Sequence, residues 1–517
     1  MPAIGSAAPL VGGGVVPGGF PGSVVAPGAA TLPGSAGVAA GPSLAPRASG
    51  AIVGDSLAPP HAVSEKKSTL ATILFMAAQS SPEDRPGESQ SDHALSKLVS
   101  SPETLAAFRI SVAFVLLFSS ELHGAVRYAA LAPNLRVPPL GLGLFAALAP
   151  ISVVVAQAMR ALAVASAVAT MLGLYTRVAT KLLLASSFYL LALGQLGGTV
   201  VHDMHLVWFA AILAVSPAGD AFSVDMGRAR PPPPSTAYGI PVWTARALFA
   251  AIYFFPGLHK VMTQGLGWAS VENLSLELHW KWFEWNEVPS FRLDLHPRLL
   301  AAGGLATLAF ELGFPFLLLT RKTRVVAAIF GLAFHLTTDA ILRIKFSSLW
   351  LCYPVLFDFT LGARDASRAP APSRASLAAL GSLLLAVFAF GVQGVTAAFP
   401  FACYPTFAER PPETVPDLRL VAIGRDGVRT EVPHARNASG VRAQSDWGRV
   451  WALAGATAPV SVARLEAYVA EVRRARPRAF VGASAVEVAR VDYRVSPDAR
   501  GAPPVHQAVL TTVALAP

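Results

Sequence analysis

Four side chains in this sequence have types and positions suited to chemistry at a membrane edge. The first is Lys260, in the stretch YFFPGLHKVMTQGLGW (Tyr253–Trp268), where a strongly apolar run ends in His259 and Lys260 side by side. An ammonium at the lip of hydrocarbon either snorkels to water or does chemistry in a pocket. His202 and His205 open one apolar stretch, and His335 lies well inside another. Histidines at a helix start are wetted by the interface unless a site uses them. His335 is deeper, where a polar ring needs a partner. Asp339, four residues on along the same helical face, is one candidate partner. Arg109 and Glu311 read as interhelical pairing residues, and Glu121 and His123 as solvated loop positions.

The elements that would position these residues are membrane helices. Of the 517 residues, 53% are hydrophobic and only 14% are charged, against about 25% charge in a typical soluble domain. The mean hydropathy is +0.50. An all-α, polytopic transmembrane bundle follows, with lipid as its principal partner. The net charge of +10 is scattered, with no basic run, as expected of Arg-rich membrane loops and not of a nucleic-acid binder. Apolar windows predict spans near 105–123, 156–174, 179–197, 204–218, 239–258, 298–320, 324–342, 346–363 and 375–397, hence about eight or nine crossings. Residues 141–155 read as an interfacial or re-entrant helix.

Arg177 and Lys181, Arg228 and Arg230, Arg321 to Arg324, and Arg364 to Arg374 fall in alternate loops, which the positive-inside rule places in the cytoplasm. Arg343, Lys345 and the basic 259–297 connection weaken that asymmetry. The expected protein sits in the cell (inner) membrane, N-terminus inside and C-terminus outside. His202, His205, Lys260 and His335 then all lie on the outer side, an agreement that sequence spacing did not require.

Residues 1–100 are expected to be a disordered, low-complexity region: the first 65 keep no apolar period and make a poor signal peptide. The transmembrane domain is read as 101–398. Residues 399–517 read as a small extramembrane α+β domain, with strands near Leu418–Ile423 and Val486–Tyr493 and a helix near Val460–Arg473. Asn437-Ala-Ser439 fits a glycosylation sequon. Cys352 and Cys403, the only cysteines, exclude a disulfide framework and any cysteine-based metal site, while one bridge between them stays open. No zinc-binding His-x-x-x-His helix, phosphate loop or nucleophile elbow is present, and no metal is expected. HWKWFEW (His279–Trp285) reads either as an interfacial aromatic belt or as a cleft wall.

In chain order, LAAFRI with Arg109, VVHDMHLVWFAAILAVSPAGDAFSVD, YFFPGLHK with the following GLGW, FELGFPFLLL with Glu311, and FHLTTDAILRIKF with His335 carry a resemblance. From about Leu105 to Gly362 the chain resembles the HTTM family, the horizontally transferred transmembrane domain related to vitamin K-dependent gamma-glutamyl carboxylase. The resemblance implies that Lys260 is the base acting on a reduced vitamin K or related quinol. It implies that His202, or His205 three residues on, and His335 are polar partners at the catalytic site. His259, which stands where animal carboxylases have a lysine, His205 and Trp268 become substrate-binding candidates. Proton removal from a hydroquinone needs a neutral amine, which a dry pocket favours. Oxygenation then generates a base strong enough to take a glutamate γ-proton, and the carbanion captures carbon dioxide. The acceptor would be a Glu-containing peptide or protein. Little of the carboxylases' large lumenal region follows Gly362, so the chemistry is expected to carry over further than the protein substrates. A rival reading keeps the fold without catalysis, as a quinone-binding module, receptor or assembly factor. Lys260→Arg separates the two, because arginine keeps the charge and does not release its proton near neutral pH.

Overall fold

The structure, a computed structural model, describes residues 98–198, 202–361, 369–404, 407–433, 450, 452–455 and 460–515. The N-terminal region up to residue 97 and the Asn437 sequon lie outside the described residues. Seven described helices are long and apolar enough to cross a membrane. They are α1 (Pro102–Phe118), α2 (Val153–Leu172), α3 (Thr176–Gln195), α5 (Thr236–Gln264), α7 (Pro297–Leu317), α8 (Arg321–Leu342) and α9 (Arg374–Gln393). A shorter α4 (His205–Ala214) precedes α5, and α6 (Val271–Trp285) lies between α5 and α7.

The helix ends follow local chemistry. Ser101 caps α1 by accepting from Thr104 N, with Pro102 in the first turn. Asp225 holds the start of α3, accepting from the backbone N–H groups of Tyr175 and Thr176 at 2.8 and 2.7 Å. Gly173 closes α2 at φ +67°, and a Cβ there would lie 2.2 Å from that of Ser223, so the turn requires glycine twice over.

Burial inverts from the middle of the bundle to its rim. Of the α5 span 72% is buried, but only 22% of α8 and of α9, whose exposed side chains include Ile329, Phe330, Leu336 and Leu385. Outward apolar faces on this scale suit a lipid surround.

Two of the nine expected spans are not long helices. Residues 204–218 form the ten-residue α4, and 346–363 contain only a short turn of helix at Ser347–Trp350 and a 3-10 turn at Tyr353–Leu356. Each still carries the chain from one end of the bundle to the other. Phe346 packs on His335, while the carbonyls of Leu356 and Phe357 accept from Arg246 and Arg324 near the opposite end. Broken backbone at this depth is tolerated only inside protein. Accordingly, Leu206 to Ala210 and Leu349, Cys352, Val355 and Leu356 are all buried. An apolar window alone does not separate such a sheathed crossing from a lipid-facing helix. The expected interfacial element in 141–155 contains a short helix, Gly143–Leu148, with Leu144 and Leu148 exposed.

The C-terminal part carries β1 (Thr414–Gly424), β2 (Arg429–Val432), α10 (Val462–Ala475), β3 (Ala483–Arg494) and β4 (His506–Ala514). The sheet is antiparallel, in order β2-β1-β3-β4, with Leu420 opposite Val488 and Leu418 opposite Arg490. Helix α10 buries Leu465, Tyr468, Val469 and Val472, one face at helical spacing. Leu131 and Leu135, from the loop after α1, complete that core.

Candidate functional site

Helix α5 positions the lysine. Pro256 sits inside it and has no N–H to donate to the Ile252 carbonyl, and Gly265 ends it at φ +60°. Lys260 lies one turn after Pro256 and two turns after Tyr253, so the three share a face. It does not snorkel: Lys260 is 4% exposed. Its Nζ donates to both carboxylate oxygens of Glu311 on α7, at 2.6 and 2.7 Å, and lies 4.6 Å from the ring centre of Trp268. Gly257 lets the two helices approach here, since a Cβ in its place would come within 2.8 Å of that of Glu311. Trp268 is held in turn by Nε1 donating to the Phe407 carbonyl at 2.6 Å.

The pair opens onto a groove of about 220 Å³ whose wall is chiefly apolar. Tyr253, Lys260, Trp268, Glu311, His335 and Tyr404 line it, with Glu277 and Lys281 from α6. His335 is buried against Phe334 and Phe346. Its Nε2 lies 2.5 Å from Tyr253 Oη, which is also 2.5 Å from Tyr353 Oη. Its Nδ1 is buried without a hydrogen-bond partner. Tyr253, not Asp339, is therefore the partner of this ring. Burial pushes the Glu277 carboxyl up to about 7, against the lowering pull of Lys281 and Lys260; α6 is not among the seven long apolar helices.

Lys260, Trp268 and His335 thus come together in one groove. His205 does not line it but packs behind Tyr404, whose Oη accepts from the His205 backbone N–H at 3.0 Å and meets Nδ1 at 2.6 Å. His259 points away, its Nε2 2.7 Å from the Gly391 carbonyl on α9. The His202 side chain lies outside the described residues. Of the HWKWFEW segment, Lys281 reaches the groove. Trp282 donates to the Ile341 carbonyl and Trp280 to that of Pro412, tying α6 to α8 and to the C-terminal part. Cys352 and Cys403 are both buried free thiols. Among the described residues no group of three or more His, Cys, Asp or Glu could hold a metal.

Sequence reading missed Tyr253, Tyr353, Tyr404 and Glu277. Tyr253 had a signal, its seven-residue spacing from Lys260. Tyr404 had none, since it reaches the groove only through the fold of the chain after α9.

The seven apolar helices make the chain a multi-pass membrane protein. No curated protein and no solved structure matches it. The HTTM domain matches residues 99–359, just over half of the chain and nearly the stretch that the five motifs delimit. That match spans every helix lining the groove, and by it the chain belongs to the HTTM domain family.

Proposed function

We propose that the groove binds a reduced quinone of the vitamin K class and that the chain is a carboxylase-like enzyme with Lys260 as its base. The observation that carries this reading is a buried lysine paired with a carboxylate at the wall of an apolar groove. Such a groove suits an aromatic ring. At about 220 Å³ it is smaller than the roughly 300–1,000 Å³ of drug-sized sites, so it takes a ring with the tail outside. Glu277 and His335 put polar side chains on its wall. When bound, the quinol supplies the reducing power by which oxygen is consumed and carbon dioxide joined to a glutamyl γ-carbon, giving quinone epoxide, water and a new carboxyl group.

The chain's own residues bind, orient and move protons. Lys260 Nζ accepts a proton only as a free amine. Glu311, bonded to it at 2.6 Å, takes the ammonium proton and leaves an amine and a neutral carboxyl with no net charge. Trp268, held by the Phe407 carbonyl, covers the lysine and excludes water. His335 orients the bound ring, and His202 (or His205) is carried over from the family resemblance as a further partner. Membrane placement follows the positive-inside loops, with the groove and C-terminal part on the outer face of the inner membrane.

A second reading is a non-catalytic protein in which the Lys260–Glu311 pair only ties α5 to α7. The close approach at Gly257 favours it. The test uses purified protein in nanodiscs with vitamin K hydroquinone, oxygen, labelled bicarbonate and a Glu-rich peptide. Native protein is compared with Lys260→Ala and Lys260→Arg. Epoxide and peptide label that both variants lose support the enzyme. Epoxide without label means a working quinone site with the wrong acceptor. Neither product, with quinone bound and an active carboxylase control, establishes the non-catalytic reading.

A further inference from the structure

Of the ionisable side chains that line the groove, Glu277 is the one left without a hydrogen bond or an ion pair among the described residues. The others are committed. Lys260 is closed on Glu311, His335 Nε2 on Tyr253, and Tyr404 on His205. Lys281 stands four residues after Glu277, the spacing at which a Glu–Lys pair normally forms. Its Nζ turns instead to Glu284 at 2.8 Å and lies 5.6 Å from the ring centre of Phe407.

Nothing seals the Glu277 carboxyl off from the groove. Leu274, Glu277, Leu278 and Lys281 all line it, at the three- and four-residue spacings of one helical face. The two carboxyl oxygens are not among the buried side-chain atoms that lack a partner, so both keep accessible surface. With no partner in the chain they are left to water or to a ligand. Lys281 and Lys260 favour the carboxylate, while burial in the apolar wall favours the neutral acid and prevails, holding the carboxyl up at about 7. Facing it from the other elements are Lys260 and Tyr253 on α5, Glu311 on α7, His335 on α8 and Tyr404 after α9. Asp294, on the turn packed beside α6, is taken by Arg292 at 2.6 Å and His279 at 3.1 Å.

Such a carboxyl reads the oxygen of a ligand head. As the acid it donates to a carbonyl; as the carboxylate it only accepts, and needs a hydroxyl. A hydroxyl serves both forms, because it accepts from the one and donates to the other. We propose that Glu277 is the specificity-determining residue of the groove: it contacts the oxygen on the ligand's ring and selects a hydroxyl-bearing aromatic ring over its carbonyl-bearing form. The groove then keeps the reduced ring and releases the oxidised one as pH rises. This deepens the functional reading and rests on the groove as a site for an aromatic ring, not on turnover.

The experiment uses the full chain in nanodiscs, with binding read by tryptophan quenching from about pH 6 to about pH 8. 1-Naphthol is the hydroxyl-bearing probe, menadione the carbonyl-bearing one and naphthalene the bare one. Menadione is expected to weaken about two- to tenfold across that interval, the loss of one hydrogen bond, while 1-naphthol does not weaken and naphthalene is unchanged. Glu277→Gln, whose amide both donates and accepts at every pH, is expected to abolish the menadione slope. His279→Gln, on the same helix but outside the groove, is expected to keep it. Native protein alone carries the test if Glu277→Gln does not fold: at about pH 7.5 menadione binding takes up part of a proton and 1-naphthol binding takes up none. A level menadione affinity, equal slopes for menadione and 1-naphthol, or a slope that survives Glu277→Gln overturns the inference and leaves the quinol reading standing. Selection without turnover upholds the inference and counts against the enzyme alone. If native protein binds none of the three probes, the groove is no site for an aromatic ring and both readings fall.

Discussion

Helix α5 buries two cations fourteen residues apart, and the two are used in opposite ways. Arg246 and Lys260 are about 21 Å apart along the helix axis. Arg246 donates to the Val355 carbonyl at 2.9 Å and to Asp358 at 2.7 Å, and Arg324 binds the other oxygen of Asp358 at 3.0 Å. The guanidinium stacks on Trp243 at 4.9 Å. Its donors are spent on the carbonyls that the broken crossing leaves without helical partners. Lys260 has one carboxylate for a partner, one aromatic cover and a groove in front of it. A buried charge is thus no sign of a site by itself. What marks the Lys260 end is the adjoining space and the unpartnered nitrogen of His335.

The largest effect expected from this contrast comes from breaking the lysine pair on one side only. Lys260→Met leaves the Glu311 carboxyl buried without its cation and costs about 3–5 kcal/mol. Thermal unfolding in nanodiscs measures it. Lys260→Met with Glu311→Leu removes both charges and is expected to restore most of that stability while turnover stays absent. A double variant as unstable as the single one would deny that the pair is replaceable structure around a needed amine.

At the other end, Asp358→Asn removes the carboxylate shared by Arg246, Arg321 and Arg324. Its cost is about 1.5–3 kcal/mol, since carbonyls still hold two of the three guanidinium groups. Menadione binding, measured by tryptophan quenching, is expected to be unchanged. A weakened groove would show that the two ends communicate along α5. Charge-preserving exchanges sharpen the contrast further. Arg246→Lys keeps the ion pair, loses the fork to the Val355 carbonyl and costs about 1 kcal/mol, leaving turnover intact. Lys260→Arg keeps the charge and, on the proposed function, is expected to abolish turnover.

The same two ends show what was legible in the sequence. Alternating basic loops and apolar windows put Lys260 and His335 on one side of the bilayer, and both line the groove. Glu311 was readable as a residue in need of a partner, but its partner was not, because interhelical pairing is set by packing between segments 51 residues apart. His259 shows the opposite failure. Neighbours in sequence are about 100° apart around a helix, so adjacency to Lys260 sends His259 to Gly391. The broken crossings were visible as apolar stretches, but their backbone was not. It depends on donors from elsewhere, Arg246 and Arg324 among them, that replace the missing helical bonds. The strand expectations near Leu418 and Val486 fall within β1 and β3, because period-two alternation is a local signal.

The smallest expected effect is a pH dependence confined to the groove end. Glu277 is partly buried beside Lys260 and Lys281, and its carboxyl, ordinarily near 4.5, is pushed up to about 7 by burial. Between those values the folded chain keeps a proton that the unfolded chain has lost. Stability from this residue therefore falls as pH rises from about 4.5 to 7 and is level outside that window. Glu277→Gln is expected to flatten the slope of melting temperature against pH in this interval. Asp225, at the opposite end, is the counter-case. Despite some burial, hydrogen bonds from Thr176 and Tyr175 and the nearby Arg109 charge hold its carboxyl below the ordinary range. Its contribution is complete above the usual carboxylate range and lost as pH falls through its lowered value, so Asp225→Asn lowers stability by a constant amount at neutral pH and changes the slope on the acid limb alone. If Glu277→Gln leaves the neutral slope intact, the carboxyl is better hydrated than its place in the groove wall implies, and the groove is wetter than the proposed base requires.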